Sequence, residues 1–305
     1  MKVEHLEGVT FGSVVTAIDL EVLDDAEWNE LYELWIERAL LIFPGAYLSP
    51  EGQDEFANRF GDLEFPRAAI SNIGKDGKVH YRDDDEVVKS LRGNEGWHHD
   101  STYMPGQAKG AVFSAEIVPS SGAATGWADM RAAYEDLDAE TCDRISNLTA
   151  YHSLYYSQGR AGNLPDKKND DGTSNLYGYH DMEVSLRPLG KTHPITGQPN
   201  LLLGRHAHDI VGMDKEESTK LLDELNDWAC QPPRTYHHQW EVGDAVVWDN
   251  RRLQHRGTPY DMTEPRRMWH TRIAGEPSTE LAINHRTDAI PSDEAERHPT
   301  GTWAC

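Results

Sequence analysis

The chain has 305 residues, long enough to bury a substantial core in one large domain, and its 29 basic against 52 acidic side chains leave a net charge of −23. A surface of that sign repels nucleic-acid phosphates and anionic membranes, which sets both aside as partners. Cys142, Cys230 and Cys305 have no CxxC spacing, which argues against a disulfide framework or a zinc cluster and suits a reducing cytoplasm, and no segment reads as a membrane span or export signal.

In chain order, the first helix signal covers residues 24–40. Asp24 and Asp25 can cap its start, and Trp28, Leu31, Tyr32, Trp35 and Ala39 recur on one face at three- and four-residue steps. The run Ala39-Leu40-Leu41-Ile42-Phe43 reads as a short strand overlapping the helix end, and Ser49-Pro50 opens a second helix closed by Gly61. Residues 110–118 read as a strand ended by the turn chemistry of Pro119-Ser120-Ser121-Gly122. Residues 158–175, rich in Gly, Asn, Asp and Lys and without periodicity, read as an inserted loop, either an active-site lid or a plain surface excursion.

Asp214-Lys215-Glu216-Glu217 has the form of a capping box ahead of Leu221, Leu222, Leu225 and Trp228, and Pro232-Pro233 stops that helix. The last third turns β-rich, through residues 235–240 and 245–248, and the tail over 277–305 is polar. Few helices and many short strands predict a single β-rich α+β domain over 1–305, a barrel or sandwich decorated by helices.

The stretch Trp97-His98-His99-Asp100-Ser101-Thr102-Tyr103 carries the chemistry. In an extended strand residues i and i+2 share a face, so His98 and Asp100 can hold one ion while His99 faces away as a bystander. Two histidines with one carboxylate is the arrangement that holds non-heme Fe(II) with positions left open, so a further histidine is required. His255, in "GDAVVWDNRRLQHRG", follows a buried-looking strand and precedes an arginine pair at 266 and 267. An arginine fork near a metal suits the distal carboxylate of a chelating keto acid.

These motifs, with "GVTFGSVVTAIDL", "LSPEGQDEFANRFGDLE", "VPSSGAATGWADMRAAYEDL", "HPITGQPNLLLGRHAHDIVG" and "RRMWHTRI", resemble the taurine dioxygenase and dichlorophenoxyacetate dioxygenase family of Fe(II)/2-oxoglutarate enzymes, and more the second. The resemblance implies a double-stranded β-helix (jelly-roll) core with flanking helices. It also implies His98, Asp100 and His255 as iron ligands, and Arg267 with Thr125 on the far carboxylate of 2-oxoglutarate. Arg266 is then expected to face the other way as a structural residue. The implied reaction uses Fe(II), 2-oxoglutarate and O2, and hydroxylates a small molecule as 2-oxoglutarate is oxidised to succinate and CO2. The alternatives are desaturation, cyclisation or C–X cleavage at the same site; a non-enzymatic metal-binding module is disfavoured by the complete residue set.

For substrate contacts, the resemblance places Asn94 and His206 in the pocket and Asn72 and Arg82, with Ser71, near it; Ser101 and Tyr103 flank the ligands. Thr271 stands where taurine dioxygenase carries the arginine that grips the sulfonate, which speaks against taurine and leaves a carboxylate such as a phenoxyalkanoate, or a larger and less anionic molecule. Arg272 is expected to point away from the site if the segment is a regular strand, and a bulge would return it. Family precedent implies a homo-oligomer, dimer or tetramer.

Overall fold

A computed structural model describes residues 1–164, 177–180 and 182–285. In chain order the first half contains β1 (Lys2–His5), β2 (Ser13–Thr16), α1 (Asp25–Arg38), β3 (Leu40–Phe43), α2 (Pro50–Asn58), β4 (Ala68–Ser71), α3 (Glu86–Gly93), β5 (Gly110–Ile117), β6 (Thr125–Asp129), α4 (Met130–Glu135), α5 (Ala139–Ile145), β7 (Thr149–His152) and α6 (Leu154–Arg160). The second half contains β8 (Ser185–Pro188), β9 (Gly190–Thr192), β10 (Pro199–Leu201), β11 (Ala207–Ile210), α7 (Lys215–Ala229), β12 (Thr235–His238), β13 (Ala245–Asp249), β14 (Leu253–Gly257), β15 (Arg267–Ile273) and α8 (Pro277–Glu280).

Local chemistry sets the helix ends. Asp24 accepts from the backbone N–H groups of Ala26 and Glu27 while the Glu27 carboxylate accepts from the Asp24 N–H, a reciprocal cap for α1. Ala39, expected on the helix face, instead terminates the helix in the left-handed region at φ 61°, and the chain turns directly into β3. Leu31 and Trp35 are fully buried on the inner face of α1, each contributing roughly 1.5–3 kcal/mol through removal from water.

The main sheet has seven strands in the order β1-β2-β3-β13-β5-β15-β4, and a three-stranded sheet runs β12-β6-β14. One core joins them: Phe113, Val246, Trp248 and Met268 of the large sheet pack with Trp127 and Leu253 of the small one. Outside it, α7 lays Leu221, Leu222 and Leu225 against Ala128, Ala150 and Leu203.

Residues 97–103 are not a strand. His98 makes a single bridge to His255, with His98 N–H donating to the His255 carbonyl at 3.0 Å and His255 N–H returning a bond of 2.8 Å. The chain then turns at Ser101, whose φ is +57°. Of the expected loop over 158–175, residues 158–160 finish α6 and residues 165–175 lie outside the described residues. Of the tail, Pro277–Glu280 forms α8, whose buried Glu280 pairs with Lys191, and residues 286–305 lie outside the description. Among the described residues no helix is long and apolar enough to cross a membrane.

Candidate active site

His98, Asp100 and His255 come together, one ligand atom from each lying within 4.8 Å of the others. His255 Nε2 is 3.7 Å from Asp100 Oδ2, and His98 Nε2 is 4.0 Å from Asp100 Oδ1. All three side chains are buried. Nδ1 of His98 donates to the Gly96 carbonyl at 2.8 Å, which leaves Nε2 as the lone-pair nitrogen facing its partners. Burial, together with the neighbouring His255 and Arg205, holds His98 well below the usual histidine range; burial likewise lowers His255 to about 4, against the opposing pull of Asp100. Burial alone would raise Asp100, yet the guanidinium of Arg272 and the adjacent His255 keep it well below the ordinary carboxylate range. Two neutral imidazoles and an anionic carboxylate are the donor set of a ferrous site. Asp100 Oδ2 is buried and faces the imidazoles of His270 at 3.4 Å and His255 at 3.7 Å, a position where a cation would complete its contacts.

His99 faces away and is fully buried, its Nδ1 donating to the Asn250 carbonyl at 2.7 Å. Asn250 is the joint between the ligand segments. Its Oδ1 accepts from the Asp100 N–H at 2.8 Å, and its Nδ2 donates to the Asp100 carbonyl at 3.0 Å and the Ala108 carbonyl at 2.8 Å.

A cavity opens beside the three ligands, and Thr125, Arg266, Phe113, Asn94, Arg205 and Tyr103 are among the residues that line it. Thr125 Oγ1 accepts from Trp240 Nε1 at 2.9 Å, so its hydroxyl hydrogen is free to donate elsewhere. The Arg266 guanidinium sits 6.0 Å from the Phe113 ring centre and 5.9 Å from that of Tyr260. Among the described residues no carboxylate lies within ion-pair distance of it, and burial lowers it to about 10.

This overturns the expectation for Arg267. Met268 is fully buried in the shared core and His270 faces Asp100, its Nε2 3.4 Å from Oδ2, so residues 268, 270 and 272 share the inner side of β15 and Arg266, just ahead of the strand, has the same parity. Arg267 therefore lies on the outer side, where Nη1 donates to Glu116 at 3.1 Å. Arg266, expected to be structural, is the one in the cavity, and Arg272, expected to point away, donates to Asp100 Oδ1 at 2.9 Å. Thr271 is likewise outside the cavity, bonded to Gln53 and to Asp54, each at 3.1 Å. Its identity carries no information about the substrate.

Of the other expected contacts, Asn94, Tyr103 and His206 line the cavity. Asn72 does not: its Nδ2 donates to the carbonyls of Met262 and Glu264, both at 2.9 Å, and its Oδ1 accepts from the Arg266 N–H at 2.8 Å, so it locks the turn that delivers Arg266. Ser71 supports the same turn through the Arg266 carbonyl. Arg82 is exposed and paired with Asp84. Ser101 lies one layer behind the wall, its hydroxyl donating to Glu64 at 2.9 Å. The sequence reading missed Arg205, Tyr177 and His270; Arg205 and His270 lie within the quoted motifs, beside His206 and within "RRMWHTRI", whereas Tyr177 lies in none of them.

A family model described as "Taurine catabolism dioxygenase TauD, TfdA family" matches residues 2–273. The chain belongs to the TauD, TfdA family. It is 57% identical over 277 residues to "(S)-phenoxypropionate/alpha-ketoglutarate-dioxygenase" of Sphingobium herbicidovorans, covering 90% of this chain and 96% of that one. It is 36% identical over 274 residues to "Alpha-ketoglutarate-dependent 2,4-dichlorophenoxyacetate dioxygenase" of Cupriavidus pinatubonensis, covering 85% and 92% respectively. Among solved structures, "AAD-2 in complex with Mn(II) and N-oxalylglycine" superposes with a TM-score of 0.84 at 34% identity, over 93% of this chain and all of that one. As a TauD, TfdA family member the chain is an α-ketoglutarate-dependent dioxygenase that uses Fe(II), 2-oxoglutarate and O2 on a small organic molecule.

Proposed function

We propose that His98, Asp100 and His255 hold the ferrous ion, that Arg266 and Thr125 take the far carboxylate of 2-oxoglutarate, and that the enzyme hydroxylates a small aryl-bearing carboxylic acid. The observation that carries this reading is the pairing of the three-ligand cluster with a buried guanidinium that has no carboxylate partner, in one cavity. The bound ion supplies the activation of oxygen and the oxidative decarboxylation of the keto acid to succinate and CO2. The chain's own share is placement. Arg266 offers a planar fork and Thr125 a hydroxyl donor to the same carboxylate, so the keto acid is held by one end while its other end reaches the ligand cluster.

For the substrate, the lining favours an anion with an apolar body. The Arg205 guanidinium donates to the Gly93 carbonyl and, at 3.4 Å, to Asn94 Oδ1, and no carboxylate pairs with it among the described residues; burial lowers it to about 10. Beside it, His206 Nε2 is buried without a hydrogen-bond partner. Tyr103, Tyr179, Leu91, Leu154 and Ile70 supply the apolar wall. Such a wall fits an aryl ring, with Arg205 receiving the acid. The names of the phenoxypropionate and dichlorophenoxyacetate relatives point to the same class. Where the hydroxylated carbon bears an ether oxygen, the product is a hemiacetal or hemiketal that breaks into a carbonyl compound and a phenol. The double-stranded β-helix is proposed on the shared core of the two sheets.

The test is succinate formation with Fe(II) and 2-oxoglutarate over a panel of aryloxyalkanoic acids, their amides, and taurine. Stimulation by the acids and not by the amides is expected; no stimulation by any acid defeats the reading.

A further inference from the structure

Asp100 uses its two oxygens differently. Oδ1 accepts from Nη2 of Arg272 at 2.9 Å, whereas Oδ2 faces only imidazoles, His270 Nε2 at 3.4 Å and His255 Nε2 at 3.7 Å. Arg272 is itself held on several sides. Its Nη1 donates to Ser101 Oγ at 3.1 Å, and its Nε lies 3.8 Å from Glu64 Oε2. The rings of Phe65 and Tyr177 lie 5.0 and 5.4 Å from the guanidinium carbon. Glu64 is fixed by the Ser101 hydroxyl and by the Tyr177 hydroxyl. Ser101 keeps a left-handed backbone at φ +57°, a conformation that a residue with a side chain holds only when its surroundings demand it.

We infer that Arg272 is a positioning residue: by occupying Oδ1 it makes Asp100 a one-oxygen ligand and keeps a position at the ion open. A carboxylate that took the ion with both oxygens would fill a place that the keto acid or oxygen needs. The fork has a defined plane and reaches Asp100 and Ser101 together, so it fixes the carboxylate's rotation as well as balancing its charge. A residue that only neutralised a buried acid would be replaceable by lysine. The Glu64, Ser101 and Tyr177 shell prevents Arg272 from swinging away, and Tyr177 also lines the cavity.

This inference rests on His98, Asp100 and His255 being the metal site, and its test separates the two ideas. Metal-free wild type, R272K and S101A are titrated with Mn(II), followed by the EPR signal of the free ion, with circular dichroism reporting the fold. R272K is expected to weaken Mn(II) binding by about tenfold or more, the usual loss when the outer partner of a metal ligand is removed. S101A, which removes one of the groups holding Arg272, is expected to weaken it by less, and both raise the succinate formed per substrate hydroxylated. Folded variants that bind Mn(II) within about twofold of wild type overturn the inference; S101A carries the test alone if R272K does not fold. A wild type that binds no Mn(II) defeats the metal-site reading instead.

Discussion

The cavity is lined by residues from two kinds of element. Thr125 and Arg266 stand on β6 and just ahead of β15, on the inner faces of sheets whose register is locked by Trp127, Phe113 and Met268 in the core. Asn94 caps α3, Arg205 lies in the turn ahead of β11, and Tyr177 and Tyr179 follow the stretch of residues 165–176. A side chain on a buried strand cannot drift to the other face without turning the core inside out. A side chain on a connection has no such constraint. On the proposed assignment Thr125 is fixed by its strand and Arg266 by the Asn72 and Ser71 side chains that bracket the turn ahead of β15, whereas Arg205 is held by the Gly93 carbonyl and Asn94.

The comparison breaks first at the ligands that both groups share. Replacing Asp100 with Ala is expected to lower succinate formation by at least about a thousandfold, since an outer-shell loss alone costs about 10–100-fold; succinate quantification with excess Fe(II) checks it. If Arg266 holds the keto acid, R266M should raise the KM for 2-oxoglutarate about 10–100-fold through loss of a charged hydrogen bond of roughly 1.5–3 kcal/mol, with R267M within about twofold of wild type. Reversal of that pair would mean that β15 is out of register. The Arg205 group should respond separately. R205M is expected to raise the KM for a carboxylate substrate by about tenfold while the Kd for 2-oxoglutarate, measured by calorimetry, stays put.

The smallest effect lies behind the cavity. His152 is buried with neither ring nitrogen bonded, and burial followed by Arg187 holds it well below the ordinary histidine range. The unfolded chain then takes up a proton near pH ~6.5 that the folded chain refuses, so stability falls as pH drops below that point. H152F should flatten the Tm-against-pH curve on the acid side by an amount set by this one group.

The three side chains that spacing and a neighbouring motif single out, His98, Asp100 and His255, do converge, even though the supposed strand around His98 is a bridge and a turn. It misassigned the arginines because two adjacent residues carry the same side chain. The alternation was legible; the phase was not. Met268 and Trp269 are adjacent apolar residues of opposite parity, so the stretch itself did not mark the inner face. Asn72 looked like a pocket residue and proved to be a bracket for the turn before Arg266. Tyr177 carried no local signal, while Arg205 stood beside His206 in a quoted motif and was passed over.

The amide of Asn250 stitches together two segments far apart along the chain, and it does so through main-chain groups that require no ion. The cradle is consequently assembled before loading. Stripping the enzyme with a chelator should leave a folded apo-protein that regains its metal on mixing, without a refolding step, unlike small domains whose architecture collapses once the ion departs.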